Sequence, residues 1–138
     1  MTIEERKMDL FKMGEEYQLA HCISSDCSMG SGIALGFQKH FPTLKHETMQ
    51  QNLRHPRVVQ VGRVFNLVTK PGATDKPGYG ALLKCLYLMH DVCIEQDITK
   101  LAIPRIGCDH DGLNWRRVKS LIIDVFQDTH IEIVVCYL

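Results

Sequence analysis

Gln18-Leu19-Ala20-His21-Cys22-Ile23-Ser24-Ser25-Asp26-Cys27-Ser28-Met29-Gly30-Ser31-Gly32-Ile33-Ala34 is an apolar run, a polar turn, a glycine-containing loop and the start of a helical pattern in immediate succession. Gln18 to Ile23 predicts a short buried strand, ended by the turn-forming Ser24-Ser25-Asp26. Gly30 to Phe41 has helical periodicity, with Ile33, Leu35, Phe37 and Phe41 available for one broad face. Strand, loop and helix in that order are the unit from which α/β sheets are wound, so this stretch sets the fold class.

The alternation continues along the chain. Thr43 to Leu53 predicts a second short helix with Thr43 as its N-cap. Val58 to Val61 and Val64 to Val68 are β-branched runs split by Gly62-Arg63, the pattern of a hairpin. Lys70 to Gly78 holds two prolines and two glycines and must be a loop. Tyr79 to Glu95 predicts a long helix, apolar at Leu82, Leu83, Leu86, Met89, Val92 and Cys93. Leu101-Ala102-Ile103 is a brief strand, followed by a second glycine-containing loop from Pro104 to Asn114. Trp115, Val118, Leu121, Ile122, Val125 and Phe126 follow the spacing of an amphipathic helix. Ile131 to Tyr137 closes the chain as an apolar strand of the kind covered on both faces. The expected architecture is a single three-layer α/β/α domain over residues 1–138.

Composition excludes several classes of function. Apolar residues make up 45% of the 138, enough for one continuous core. Sixteen basic and sixteen acidic residues cancel, so nothing global draws the chain to nucleic acid or an anionic membrane. The one short basic run is Arg116-Arg117 with Lys119. No apolar stretch approaches the length of a membrane span, and Met1 to Met13 carries charges throughout with no signal-peptide core. An intracellular protein, in cytoplasm or nucleus, is expected, without a membrane or nucleic-acid partner and as a monomer. The six cysteines include no C-x-x-C and no zinc spacing, which predicts reduced thiols, no metal and no cofactor. Cys22, Cys85, Cys93 and Cys136 fall in apolar runs and read as core; Cys27 and Cys108 sit in the two loops.

Those loops are where a ligand is expected, since α/β sheets bind at the carboxyl ends of their strands. Gly30 and Gly32 allow close approach of the backbone, and the following helix presents free N–H groups and the positive end of its dipole. That is the chemistry a pyrophosphate needs, although the same residues also suit a tight turn packed between strand and helix. Pro104-Arg105-Ile106-Gly107-Cys108-Asp109-His110-Asp111-Gly112 offers a second set of donors. Two such loops together favour an elongated, phosphate-containing ligand.

Ala20-His21-Cys22-Ile23-Ser24, Met29-Gly30-Ser31-Gly32-Ile33-Ala34, Leu67-Val68-Thr69-Lys70, Pro104-Arg105-Ile106-Gly107-Cys108 and Trp115 occur in that order. Together they resemble the terminal ADP-ribose protein glycohydrolase branch of the macrodomains, over Ile3 to Leu138. The resemblance implies a mixed central sheet with ADP-ribose lying across its strand ends. The adenine would sit near Asp9 and Leu10, within a segment matching the family's Asp-Leu-Phe. The pyrophosphate would lie between Ser24 with Met29, Gly30, Ser31, Gly32 and Ile33 on one side and Pro104, Arg105, Ile106, Gly107, Cys108, Asp109 and His110 on the other. Thr69 belongs to the same ligand-binding set, and the distal ribose would face Lys70 and Asp111. This sequence departs from the family at Met8, where glycine is usual, and at Asp109-His110, where glycine and an apolar residue are commoner.

By composition alone Lys70 is a surface charge and Asp111 a turn former before Gly112. The resemblance gives them chemistry: the lysine attacks the anomeric carbon of the distal ribose, and the aspartate does the acid–base work that releases the adduct. Such an amine must be close to the ribose and partly withdrawn from water. The implied activity is hydrolysis of ester-linked ADP-ribose, on glutamate or aspartate of proteins or as O-acyl-ADP-ribose. The alternative is a non-catalytic reader of ADP-ribose, which has no need of the Lys70–Asp111 pair. His21, Tyr79 and Trp115 are expected to pack rather than react.

Overall fold

In a computed structural model that describes residues 1–30 and 32–138, eleven elements alternate along the chain. They are β1 (Thr2–Lys7), a 3-10 turn (Leu10–Lys12), β2 (Gln18–Ser24), α1 (Ile33–His40), α2 (Leu44–Met49), β3 (Arg57–Val61), β4 (Val64–Lys70), α3 (Tyr79–Glu95), β5 (Lys100–Ile103), α4 (Trp115–Phe126) and β6 (Glu132–Tyr137). The sheet has six strands in the order β1-β6-β5-β2-β4-β3. All neighbours are parallel except the β3–β4 hairpin, so the sheet is mixed, as expected.

Side-chain alternation explains why the strands read as unbroken apolar runs. In β4, Phe65 and Leu67 join a core under α3 and α4, with Leu82, Leu86, Met89, Val118, Ile122 and Phe126. Val64 and Val68 point the other way, into a second core with Phe37 of α1 and Leu44 of α2. β6 divides likewise, Ile133 and Val135 to one face, Val134 and Cys136 to the other. A strand with helices on both sides has no solvent face to make polar. Three layers follow.

The helices α3 and α4 have the expected limits. Asn114 caps α4, its side chain accepting from the Arg117 amide at 3.2 Å. Two helix limits are corrected and one strand is added. Helix α1 starts at Ile33 rather than Gly30, because Met29 (φ 48°) and Gly32 (φ 60°) are in left-handed backbone. Helix α2 ends at Met49, short of Leu53; Thr43 holds its N-cap position as expected, but the side chain makes no capping bond and its hydroxyl reaches Glu47 at 3.2 Å instead. β1 was hidden by its sequence, Thr-Ile-Glu-Glu-Arg-Lys, which has one apolar residue. It is a sheet edge paired with β6, and charged side chains are what an edge strand carries against unwanted pairing.

His21 is packing, as expected, but of a costly kind. It is fully buried, stacked on Phe37 at 3.9 Å, with Nε2 at 2.6 Å from Asn66 Oδ1. The Asn66 amide nitrogen donates to Thr48 Oγ1 and the Val59 carbonyl, so its oxygen must accept and His21 Nε2 must carry the proton. Nδ1 is then a bare lone pair with no partner among the described residues. Protonating it would place a charge in the core, and burial lowers the His21 pKa from 6.5 to about 4, against the raising effect of the Asn66 hydrogen bond. Because the unfolded chain takes up this proton first, His21 favours folding above pH 6.5, and that contribution is lost as the pH falls towards 4. The expected loss is about 3 kcal/mol across that window. His21→Gln can still donate to Asn66 but cannot bind a proton, so its denaturant midpoint should change less between pH 7 and pH 4. Equal acid sensitivity in both proteins would remove His21 as a cause.

Candidate active site

Because β1, β6, β5, β2 and β4 are mutually parallel, their carboxyl ends share one edge of the sheet. A cleft of about 1020 Å³ lies along that edge. Strand order therefore dictates what the cleft presents in sequence. Asp9 follows β1, the 104–114 loop follows β5, the 25–32 loop follows β2, and Lys70 ends β4. Neighbouring strands lie about 4.8 Å apart, so the four steps from β1 to β4 separate Asp9 from Lys70 by roughly 19 Å. The cleft is a long trough with an acidic turn at one end, two glycine loops in the middle and a lysine at the other end.

Each expected ligand-binding residue lines this cleft except two. Ser31 lies outside the described residues. Thr69 is buried and turned from the trough, its hydroxyl without a partner among the described residues, as alternation beside Lys70 requires. At the first end, the Asp9 side chain caps the 3-10 turn by accepting from Phe11 N at 2.9 Å. In the middle, Gln38 donates to the Met29 carbonyl at 2.7 Å and Lys45 to the Ser28 carbonyl at 3.0 Å. In a trans peptide the N–H points opposite to the carbonyl, so the Met29 and Gly30 amides point away from the helices that hold those carbonyls. Cys27 and Met29 both have positive φ, 54° and 48°, and such strain in non-glycine residues is characteristic of functional loops. Gly107 has φ 73°, backbone that side-chain-bearing residues rarely adopt, and a Cβ there would also press on Leu113 Cδ1 at 2.9 Å.

At the far end Lys70 Nζ lies 2.6 Å from Asp111 Oδ1, with each side chain 11% exposed. The sequence separates them by 41 residues; the register of β4 and the loop after β5 bring them together. Nζ also donates to the Ala73 carbonyl at 3.2 Å. The Lys70 amine is thus largely withdrawn from water and lies against the Asp111 carboxylate. Cys22 and Cys108 line the same end, but burial holds the Cys22 thiol far above its ordinary range and pushes the Cys108 thiol up to about 11. Neither is a thiolate nucleophile at neutral pH. All six cysteines are free, and among the described residues no group of His, Cys, Asp and Glu is placed to hold a metal.

His110 reaches across the trough: a Cβ built on Gly32 would stand 3.2 Å from His110 Cδ2 and 3.6 Å from Asp109 Oδ2. The two loops meet through these side chains. Arg105 lines the cleft, yet its guanidinium lies 4.3 Å above the Tyr137 ring and its NH2 reaches Glu5 Oε1 at 3.3 Å. Glu5 also accepts from Trp115 Nε1 at 3.0 Å and Lys119 Nζ at 2.9 Å, while Arg117 covers the Tyr79 ring at 3.9 Å. Two of the three residues of the short basic run, Arg117 and Lys119, are thus engaged at the start of α4. Among the described residues no helix is long and apolar enough to cross a membrane.

Sequence patterning missed Lys76, which donates to the His110 carbonyl and ties the 71–78 loop to the 104–114 loop. It also missed Lys39, His40 and Tyr137 in the wall of the cleft. Periodicity places residues on faces of elements; it has no signal for what a loop lysine reaches across a gap.

No family model matches the chain. Human ADP-ribose glycohydrolase OARD1 is 41% identical over 133 residues, 94% of this chain and 87% of that protein. The chain belongs to the macrodomain family. Among solved structures, the macrodomain of Thermus aquaticus DarG superposes with a TM-score of 0.87 at 21% identity, covering 99% of both chains. Thermosipho africanus DarTG in complex with ADP-ribose gives 0.84 at 17% identity, over 98% of this macrodomain and 41% of that chain. At such identities these two agree with the macrodomain fold and its three layers, while OARD1 places this macrodomain in the glycohydrolase branch.

Proposed function

We propose that this macrodomain hydrolyses ester-linked ADP-ribose, releasing it from glutamate or aspartate of proteins or from O-acyl-ADP-ribose. The observation that carries the proposal is the Lys70–Asp111 contact of 2.6 Å at one end of the trough, 11% exposed on each side. Support comes from the relative named ADP-ribose glycohydrolase OARD1 and from the DarTG neighbour solved with ADP-ribose. In this reading the ligand follows the order of groups along the strand edge, with adenine towards Asp9 and Leu10, pyrophosphate between the two loops and distal ribose towards Lys70 and Asp111; the strand order and the cleft lining are consistent with it.

In the first step Nζ passes a proton to Asp111 and its lone pair forms a bond to the anomeric carbon. The bond from that carbon to the acyl oxygen breaks, and the acid leaves as its carboxylate. Once Asp111 has given its proton to solvent, it draws one from a water that attacks the same carbon, while the lysine departs as an amine and is reprotonated. The products are ADP-ribose and the free acid, and no redox partner is required.

The test is incubation of the protein with a glutamate-ADP-ribosylated peptide, following free ADP-ribose by chromatography. Catalytic release of ADP-ribose and unmodified peptide is expected. Tight binding with no release would instead support the reader.

A further inference from the structure

We propose that Asp26 is a positioning residue for Lys70, its carboxylate fixing the turn whose carbonyl holds the Lys70 amine. The inference rests on the reading of Lys70 as the nucleophile. Asp26 is exposed, two residues past the end of β2, and the backbone there begins the link: Ser25 N donates to the Lys70 carbonyl at 2.8 Å and Asp26 N to the Pro71 carbonyl at 3.2 Å. Its carboxylate completes it. Oδ1 accepts from Ser24 Oγ and, at 3.3 Å, from Ser28 N; Oδ2 accepts from Ala73 N at 3.1 Å. The carbonyl of that same Ala73 receives Lys70 Nζ at 3.2 Å. One side chain therefore bridges the phosphate-side loop after β2 and the turn that follows the catalytic lysine. The turn is closed from its other end by Asp75, whose Oδ2 accepts from Gly72 N at 2.9 Å.

Only a carboxylate fits this role. Three donors converge on two oxygens, and Asp26 is held ionised below the usual carboxylate range, first by the Ser24 hydrogen bond. An amide has one oxygen, so in Asp26→Asn either orientation sets an N–H against the N–H of Ser28 or that of Ala73. The orientation that keeps two of the three bonds leaves the oxygen on Ser24 and Ser28 and the N–H against Ala73 N; the shape is kept and the fold should survive, but the Ala73 peptide is released and Nζ loses its second anchor. Misplacing a reacting group by about 1 Å can cost on the order of a hundredfold in rate.

The experiment compares wild type, Lys70→Ala and Asp26→Asn in single-turnover cleavage of a glutamate-ADP-ribosylated peptide, with ADP-ribose affinity measured by calorimetry. For Asp26→Asn the cleavage rate should fall by roughly tenfold to a hundredfold, while affinity stays within about threefold, or 0.6 kcal/mol. That split distinguishes placement of Lys70 from general damage to the loop, which would lower both. A wild-type rate in Asp26→Asn, or a parallel fall in rate and affinity, would overturn the inference while an inert Lys70→Ala left the catalytic reading standing. An active Lys70→Ala would overturn the catalytic reading and, with it, the role given to Asp26.

Discussion

Gly32→Glu should abolish ADP-ribose binding, with affinity down by at least about a hundredfold, or 2.7 kcal/mol, by calorimetry. Gly32 precedes α1 at φ 60° and ψ −143°, backbone that residues with a Cβ rarely adopt. A side chain there would start 3.2 Å from His110 Cδ2, in the gap between the loops where the pyrophosphate is proposed to lie. The new carboxylate would also face Asp109, whose Oδ2 is 3.6 Å from the Cβ position. Steric filling, backbone strain and repulsion of a dianionic ligand act in the same direction. Because Gly32 is at the start of a helix and outside both cores, thermal unfolding should move by only a few degrees. Undiminished binding by a folded Gly32→Glu protein would remove the loop from the ligand site.

Lys70→Ala should eliminate turnover while ADP-ribose affinity stays within roughly tenfold, about 1.4 kcal/mol. The amine is proposed to act on the anomeric carbon, so its loss removes an interaction of the reaction rather than of binding. Lys70→Arg should fail as well, since a guanidinium stays protonated and cannot attack. The pair of variants separates nucleophile from counter-ion: a lysine that only balanced Asp111 across 2.6 Å would be replaced by arginine with much of the activity kept. Hydrolysis at the wild-type rate by Lys70→Ala would exclude the lysine from the chemistry.

Much of this was legible in the residues, for reasons that also mark where legibility stops. Helices α3 and α4 declare themselves because each buries one face at regular spacing, and β4 and β6 because each is covered on both faces. β1 did not, since a charged edge strand lacks both patterns and is defined by its pairing with β6. The start of α1 is not legible either, because glycine is compatible with a helix and only the φ of 60° at Gly32 excludes it. The two loops could be named from their glycines and the family resemblance. The bridge from Asp26 to Ala73 and the reach of Lys76 to His110 are contacts between loops 47 and 34 residues apart, and no local signal encodes them. Lys70 and Asp111 were named as a pair only through the resemblance; the 2.6 Å between them is a property of the folded sheet.

The central claim, that Lys70 attacks the ribose and Asp111 releases it, is tested most directly by intact-protein mass spectrometry of Asp111→Ala after incubation with a glutamate-ADP-ribosylated peptide. Without the carboxylate the lysine gives its proton to solvent instead and reaches the anomeric carbon more slowly, but the group that activates the releasing water is gone. The account predicts an ADP-ribosyl adduct on the protein, mapped to Lys70 and absent from the Lys70→Ala, Asp111→Ala double variant. Hydrolysis at the wild-type rate with the Asp111→Ala protein unmodified throughout would contradict it.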